Sequence, residues 1–162
     1  MNECAISESK AGKYLTFSLA SEEYGIPILK VKEIIGMLPI TSVPQVPAFV
    51  RGVMNLRGKV IPVIDLRLKF GLEETEYTER TCIIVVEMAS ATGTLLTGAI
   101  VDSVSEVIAI KDEDIEDTPE FGTDLETGFI MGMAKKDNQI KILLDIDAVV
   151  STTEVDSIAS AA

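Results

Sequence analysis

The chain has 162 residues, 47% hydrophobic and 25% charged, a composition typical of a globular protein with one domain or two small ones. Its net charge of −12 repels phosphate backbones and anionic lipid, which disfavours binding to nucleic acid or to membrane surfaces. No apolar run approaches the ~18 residues of a membrane span, and the absence of histidine removes the commonest general base and metal ligand. We therefore expect a cytoplasmic protein without cofactor, metal or direct membrane insertion.

The first half of the chain predicts strands joined by short helices. Residues 1–11 are polar and lack strong periodicity, so we expect a flexible N-terminus. The run "YLTFSLA" alternates apolar and polar residues and predicts a strand, whereas "ILKVKEII" and "PAFVRGV" favour short helical turns. The run "KVIPVIDL" predicts a strand at an edge or a bulge, because Pro62 lacks an N–H group. Asp65 then caps a helical turn, "DLRLKF", that ends at Gly71.

The second half is also dominated by strands. The run "CIIVVEM" is apolar on both faces and predicts a central strand, and "TGAIV", "EVIAI" and "QIKILLDI" predict three more. The acidic run "KDEDIEDTPE" lacks the glycine and the terminal glutamate of a calcium-binding loop, so we interpret it as a solvated linker. Residues 151–162 favour a loose tail or a short helix.

An internal repeat divides the chain. The segment "GIPILKVKEII" aligns with "GAIVDSVSEVI", and "FVRGVM" aligns with "FIMGMA". Sixteen positions separate the phenylalanine of each second segment from an aspartate, Asp65 or Asp145. Chance similarity of β-rich segments is the alternative, but the equal spacing favours duplication. We expect two packed β-barrels with an apolar interface, approximately residues 12–72 and 80–147, and leave strand or helix exchange between them open.

The segment "NLRG", Asn55 to Gly58, raises a question that the repeat helps to answer. In the second half its place is taken by "KKDN", which is ordinary turn chemistry, so the turn itself does not require Arg57. Arg57 either pairs with a nearby acid or presents its planar, five-donor group to a partner. The residues alone leave these two alternatives open.

Three runs carry a resemblance to a known family: "GVMNLRGKVIPVIDLRLKFG", "YGIPILKVKEI" and "TPEFG". They resemble the CheW-like family of chemotaxis coupling proteins, roughly over residues 13–150, and we expect the CheW-like domain to span 12–150. The resemblance implies an all-β fold of two five-stranded, SH3-like β-barrels with short helices. It also implies a non-enzymatic adaptor that links the cytoplasmic tip of methyl-accepting chemoreceptors to the regulatory domain of the histidine kinase CheA. Such an adaptor would be recruited to membrane-associated receptor arrays.

The resemblance also assigns binding residues, residue by residue. It implies a receptor contact, for which Gly52 and Gly58 can serve through backbone geometry. It implies kinase contacts on both barrels, with Phe121 as an aromatic anchor in a polar loop of the second. The receptor set is Val31, Gly52, Asn55, Leu56, Arg57 and Gly58, and the kinase set is Ile28, Glu33 and Phe121.

Two other classes of function are alternatives. The first is a small-barrel binding module for another signalling partner. The second is an enzyme of unrecognised type, with Asp65 and Asp145 as paired carboxylates. We favour helix caps for these aspartates, because they are repeat-equivalent and no nucleophile–base pair or phosphate loop accompanies them.

Overall fold

The computed structural model describes residues 11–90, 93–116, 130–136 and 138–149. Within these ranges no helix has both the length and the apolar character needed to cross a membrane. The expected N-terminal tail up to residue 10, the expected C-terminal tail and Phe121 lie outside the described residues.

The first half forms five strands and one α-helix: β1 (Gly12–Leu19), β2 (Glu22–Pro27), β3 (Val31–Gly36), β4 (Val50–Leu56), β5 (Lys59–Asp65) and α1 (Leu66–Lys69). The second half forms β6 (Cys82–Ser90), β7 (Gly93–Val101), β8 (Ser103–Ile110), β9 (Ile115–Glu116), β10 (Ile130–Lys136), β11 (Gln139–Leu144) and α2 (Ile146–Val149). Short 3-10 helices span Ile28–Lys30 and Asp112–Asp114.

The strands form two sheets, and each sheet draws on both halves of the chain. The first, barrel A, has the order β8-β1-β2-β11-β10-β9, and the second, barrel B, has the order β3-β6-β7-β5-β4. Repeat-equivalent strands hold equivalent places, since β3, β6, β7, β5 and β4 match β8, β1, β2, β11 and β10. The predicted all-β class with two SH3-like β-barrels is confirmed. The ranges 12–72 and 80–147 are therefore halves of the sequence, and the halves exchange strands to build the barrels.

Irregularities in strand pairing recur at repeat-equivalent positions. Arg51 is an extra residue in β4 opposite β5, and Met131 is an extra residue in β10 opposite β11. Likewise, one extra residue interrupts β3 after Val31 and β8 after Val104. Because each bulge requires its own local conformation, their recurrence supports the duplication.

Among the described residues the core has three parts, and the largest of them joins the two barrels. Two others lie within one barrel each: Met54, Ile61 and Ile83 belong to barrel B, and Tyr14 and Leu143 belong to barrel A. The expected apolar interface is therefore present. The buried cluster that forms it includes Leu15, Phe17 and Leu19 of β1 and Ile84, Val86 and Met88 of β6.

Three local predictions are wrong or only partly right. The run "ILKVKEII" forms one 3-10 turn and then β3, whose residues alternate between half-buried and exposed with the period of a strand. The run "PAFVRGV" leads into β4 rather than forming a helix, because alternate residues from Val50 are buried in the sheet. Pro62 lies in an interior strand between β4 and β7, and the ladder to β7 begins only at Val63. The missing N–H group of Pro62 is thus placed just before that ladder.

Candidate functional site

The segment "NLRG" contains the two-residue hairpin turn between β4 and β5. Its central residues, Arg57 and Gly58, have φ angles of +52° and +88°, as a type I′ turn requires. Asn55 supports the turn, because its Oδ1 accepts a hydrogen bond from the Gly58 amide at 2.8 Å. In the second half, Asn138 has a φ angle of +64° at the equivalent turn. Arginine is disfavoured in this conformation, so its presence points to a role for the side chain.

The Arg57 side chain forms a bidentate ion pair with Glu33 on β3. Nη2 donates to Oε2 at 2.8 Å, and Nη1 donates to Oε1. The hydrogen bonds from Arg57 lower the pKa of the Glu33 carboxyl, and Glu33 raises the pKa of the guanidinium. The pair fixes the β4–β5 turn against β3, yet 71% of the Arg57 side chain remains exposed. Arg57 therefore pairs with an acid and still has an exposed side chain that can donate hydrogen bonds to a partner.

This contact joins a residue of the expected receptor set to a residue of the expected kinase set. Glu33 is the more buried member, with 25% of its side chain exposed. A partner that binds Arg57 must therefore lie close to a partner that binds beside Glu33. The two predicted surfaces meet at this end of barrel B.

Two residues of the expected receptor set, Gly52 and Leu56, have no exposed side chain with which to contact a partner directly. A Cβ atom added to Gly52 would lie 1.9 Å from the carbonyl oxygen of Thr41, so glycine is required by close approach of the backbone. Leu56 is 9% exposed and packs in the core of barrel B. Gly58 has open space around its α-carbon and is needed for its positive φ angle. The accessible members are Asn55 and Arg57, with Val31 half-buried.

The crossover between β2 and β3 contains an exposed residue that the sequence analysis missed. Ile28 and Val31 are half-buried and pack against the central cluster, whereas Leu29 between them is 90% exposed. Lys30 anchors the crossover through an ion pair of 2.6 Å with Asp147 of α2. The run "ILKVKEII" contains several apolar residues of similar size, so its sequence does not indicate which one faces solvent.

Exposed apolar side chains recur at repeat-equivalent positions of the two barrels. Ile34 on β3 and Val107 on β8 are 42% and 48% exposed. Val60 on β5 and Ile140 on β11 are 55% and 57% exposed. A groove of about 360 Å³ runs beside Val60 in barrel B, and its walls include Ile61, Leu95 and Leu96. Each barrel thus presents similar apolar groups from similar strands, which favours protein–protein contacts.

The carboxylates that could suggest catalysis are helix caps. Asp65 Oδ1 accepts from the Arg67 amide at 2.9 Å, and Asp145 Oδ1 accepts from the Asp147 amide at 3.1 Å. The second oxygen of Asp65 accepts a hydrogen bond from the Tyr77 hydroxyl at 3.1 Å. Burial raises the pKa of Tyr77, so its hydroxyl stays protonated. Among the described residues no acidic or thiol cluster is arranged to hold a metal ion.

An all-β double barrel with an exposed ion pair, recurring apolar side chains and aspartates that cap helices defines a protein-binding scaffold. Residues 13–154 match the model of the CheW-like domain family, and the chain belongs to this family. A chemotaxis protein CheW from Klebsiella aerogenes is 39% identical over 148 residues, covering 91% of this chain and 87% of the relative. A chemotaxis protein CheW from Bacillus subtilis is 37% identical over 145 residues, covering 88% and 90%.

The fold agrees with a solved structure of this family. The crystal structure of the scaffolding protein TtCheW from Thermoanaerobacter tengcongensis superposes with a TM-score of 0.78 at 38% identity. The match covers 89% of this chain and 97% of that one. The chain is therefore a member of a family of chemotaxis scaffold proteins.

Proposed function

We propose that the protein is a non-enzymatic adaptor that couples methyl-accepting chemoreceptors to the regulatory domain of the histidine kinase CheA. It acts in the cytoplasm, at the membrane-associated receptor arrays that it helps to assemble. The observation that carries this proposal is the exposed Arg57–Glu33 pair at the end of barrel B, beside exposed Ile34. Family membership supports the chemotaxis context.

The receptor contact centres on Arg57, with Asn55 and Val31 beside it. Arg57→Glu should leave the thermal midpoint close to that of the wild type, because the side chain is largely exposed. It should weaken binding to a receptor cytoplasmic-tip fragment at least tenfold, as measured by isothermal titration. Lys13→Glu is the matched control, since it makes the same charge change at an exposed position of barrel A.

A charge-swapped variant separates the two roles of Arg57. Arg57→Glu combined with Glu33→Arg can rebuild the ion pair in the opposite direction. If Arg57 only closes the barrel, the double variant regains receptor binding, and the receptor assignment is wrong. If Arg57 donates to the receptor, the double variant remains defective although its fold is stable.

The kinase contacts lie on both barrels, one centred on Ile28 and Glu33 and the other on Phe121. The recurring exposed pairs, Ile34 with Val107 and Val60 with Ile140, support two similar faces. Two different faces on one molecule permit growth into rings or chains with a kinase domain of the same fold.

Substitutions on each face test this assignment. Ile28 packs partly against the central cluster, so Ile34→Ser is a cleaner probe of the first face than Ile28→Glu. We expect Ile34→Ser to weaken binary kinase binding in dilute solution about thirtyfold, and Phe121→Ser to spare it while impairing array assembly. The reverse pattern would exchange the two faces. If neither variant affects kinase binding, the alternative of a binding module for another signalling partner gains support.

A further inference from the structure

The strand exchange makes the two halves of the chain, residues 12–72 and 80–147, depend on contacts with each other. The chain passes from barrel A to barrel B at the β2–β3 crossover, and back at the β7–β8 crossover. Each short helix is held against the crossover of the other half by an ion pair. Arg67 of α1 donates to Asp102 at 2.6 Å, and Lys30 donates to Asp147 of α2 at 2.6 Å.

We call these two ion pairs clamps. They have opposite polarity, because the helix supplies the cation in one and the anion in the other. Arg67 and Asp147 are repeat-equivalent, each two positions after a capping aspartate, but one is a cation and the other an anion. The crossovers carry the complementary charges, Lys30 in the first half and Asp102 in the second, one position apart in the repeat because Asp102 aligns with Leu29. Asp102 also accepts a hydrogen bond from the Ala20 amide at 2.9 Å, which ties it further to the first half.

A third contact between the two halves is charged in barrel A and apolar in barrel B. In barrel A, Glu23 of β2 pairs with Lys141 of β11 at 3.3 Å, and 9% of the Lys141 side chain is exposed. The equivalent positions in barrel B are Leu96 and Ile61, which both pack in its apolar core. Each barrel therefore matches a charge with a charge or an apolar side chain with another, but only when opposite halves meet.

The halves also differ in total charge. Residues 12–72 carry eight lysines and arginines against four aspartates and glutamates, a net charge of +4. Residues 80–147 carry five against fourteen, a net charge of −9. Opposite halves attract each other and like halves of two chains repel.

We propose that these charges form a pairing code that selects the first half against the second and prevents like halves of two copies of the chain from pairing. Duplicated halves with the same strand order could exchange partners between chains, as in domain swapping. Pairing of two first halves would place Arg67 against Leu29, next to Lys30, and Glu23 against Ile61. Pairing of two second halves would place Asp147 against Ser103, next to Asp102.

The test reverses the code without changing the net charge. In Lys30→Glu/Asp102→Lys, both clamps of the native pairing become repulsive, and both clamps of the like pairing become attractive. After refolding from urea at low ionic strength, we expect the dimer-to-monomer ratio to rise roughly a hundredfold, about tenfold for each clamp. The dimer should survive dilution, because its dissociation requires paired strands to separate.

The matched control carries four reversals: Lys30→Glu, Arg67→Glu, Asp102→Lys and Asp147→Lys. It loses the same Asp102 hydrogen bond but makes the native clamps attractive again, so we expect a monomer. Size-exclusion chromatography with light scattering measures both variants. A double variant that stays monomeric like the wild type would overturn the proposal, as would a dimer that separates on dilution or a control that dimerises equally.

A further variant covers the case in which the double variant does not fold. Lys30→Glu/Asp147→Lys keeps both native clamps attractive and makes both like pairings attractive as well. It should fold, and its dimer fraction should lie between that of the wild type and that expected if opposite and like halves paired equally well. A wild-type monomer fraction for this variant would show that the clamps do not select the pairing.

Discussion

Gly52→Ala is the substitution whose cost the structure defines most closely. The glycine has a φ angle of +138°, and an added Cβ would lie 1.9 Å from the carbonyl oxygen and 2.7 Å from the carbonyl carbon of Thr41. That carbonyl must move by roughly 1 Å or more to reach ordinary van der Waals contact. The movement breaks two hydrogen bonds between Thr41 and Val53, of 2.8 and 2.9 Å.

The free energies add to a measurable sum. Two backbone hydrogen bonds contribute about 1 kcal/mol each, and the disfavoured backbone conformation adds about 1–2 kcal/mol. We expect Gly52→Ala to lower the free energy of unfolding by about 3–4 kcal/mol, a large part of the 5–15 kcal/mol that typical domains have. Urea denaturation followed by circular dichroism measures this change.

Gly58→Ala is the control, because its φ angle is +88° but nothing lies within 4 Å of the added methyl group. We expect it to cost about 1 kcal/mol through its backbone conformation alone. If Gly52→Ala costs no more than Gly58→Ala, the close approach of Thr41 does not control stability. If Gly52→Ala keeps full stability and loses receptor binding, Gly52 is a contact residue and the structural role is wrong.

Three further predictions concern buried and half-buried polar groups, and urea denaturation tests all of them. Burial alone would raise the pKa of Glu23, but hydrogen bonds from two serine hydroxyls and Lys141 lower it overall. The ionised Glu23 carboxylate therefore stabilises the fold above the ordinary carboxyl pKa of 4.5, and this stabilisation is lost as the pH falls below that value. Wild-type stability should therefore fall more than that of Glu23→Gln below about pH 4.5, and an equal fall would contradict this. Lys141→Ile alone should cost about 2 kcal/mol, whereas Lys141→Ile/Glu23→Leu, which copies barrel B, should lie within about 1 kcal/mol of the wild type. Asp65→Ala and Asp145→Ala should each cost about 1 kcal/mol through loss of a helix cap, and an unchanged midpoint would exclude that role.

Strand positions and the duplication could be predicted from the sequence because both depend on local pattern. Alternation of apolar residues indicates strands, and the sixteen-position spacing before Asp65 and Asp145 indicates corresponding hairpins. The helical turns predicted for "ILKVKEII" stop after Ile28–Lys30 for a non-local reason. Residues of this run pair with β6, more than forty positions away, and sheet pairing outweighs a weak local preference.

The candidate site was only partly predictable. Arg57 was identified because the equivalent turn lacks an arginine, but its partner Glu33 lies 24 positions away, and no local pattern connects the two. Leu56 stands in a turn-like segment, yet its side chain points into the barrel core. Exposure of Leu29 and Val60 depends on how the barrels close, which one strand's sequence does not specify.

Strand exchange was left open by the sequence for a physical reason that also explains the charge pattern. Two similar halves fit each other in either arrangement as far as strands and apolar alternation are concerned, so those signals cannot choose between pairing of opposite halves and pairing of like halves from two chains. The choice must come from positions where the halves differ, and the clamps and the Glu23–Lys141 pair are such positions. The outer apolar residues Ile34 and Val107 can then remain alike, because selection of the fold does not depend on them. A duplicated scaffold can in this way keep two similar outer apolar faces while its internal contacts specify one pairing of its halves.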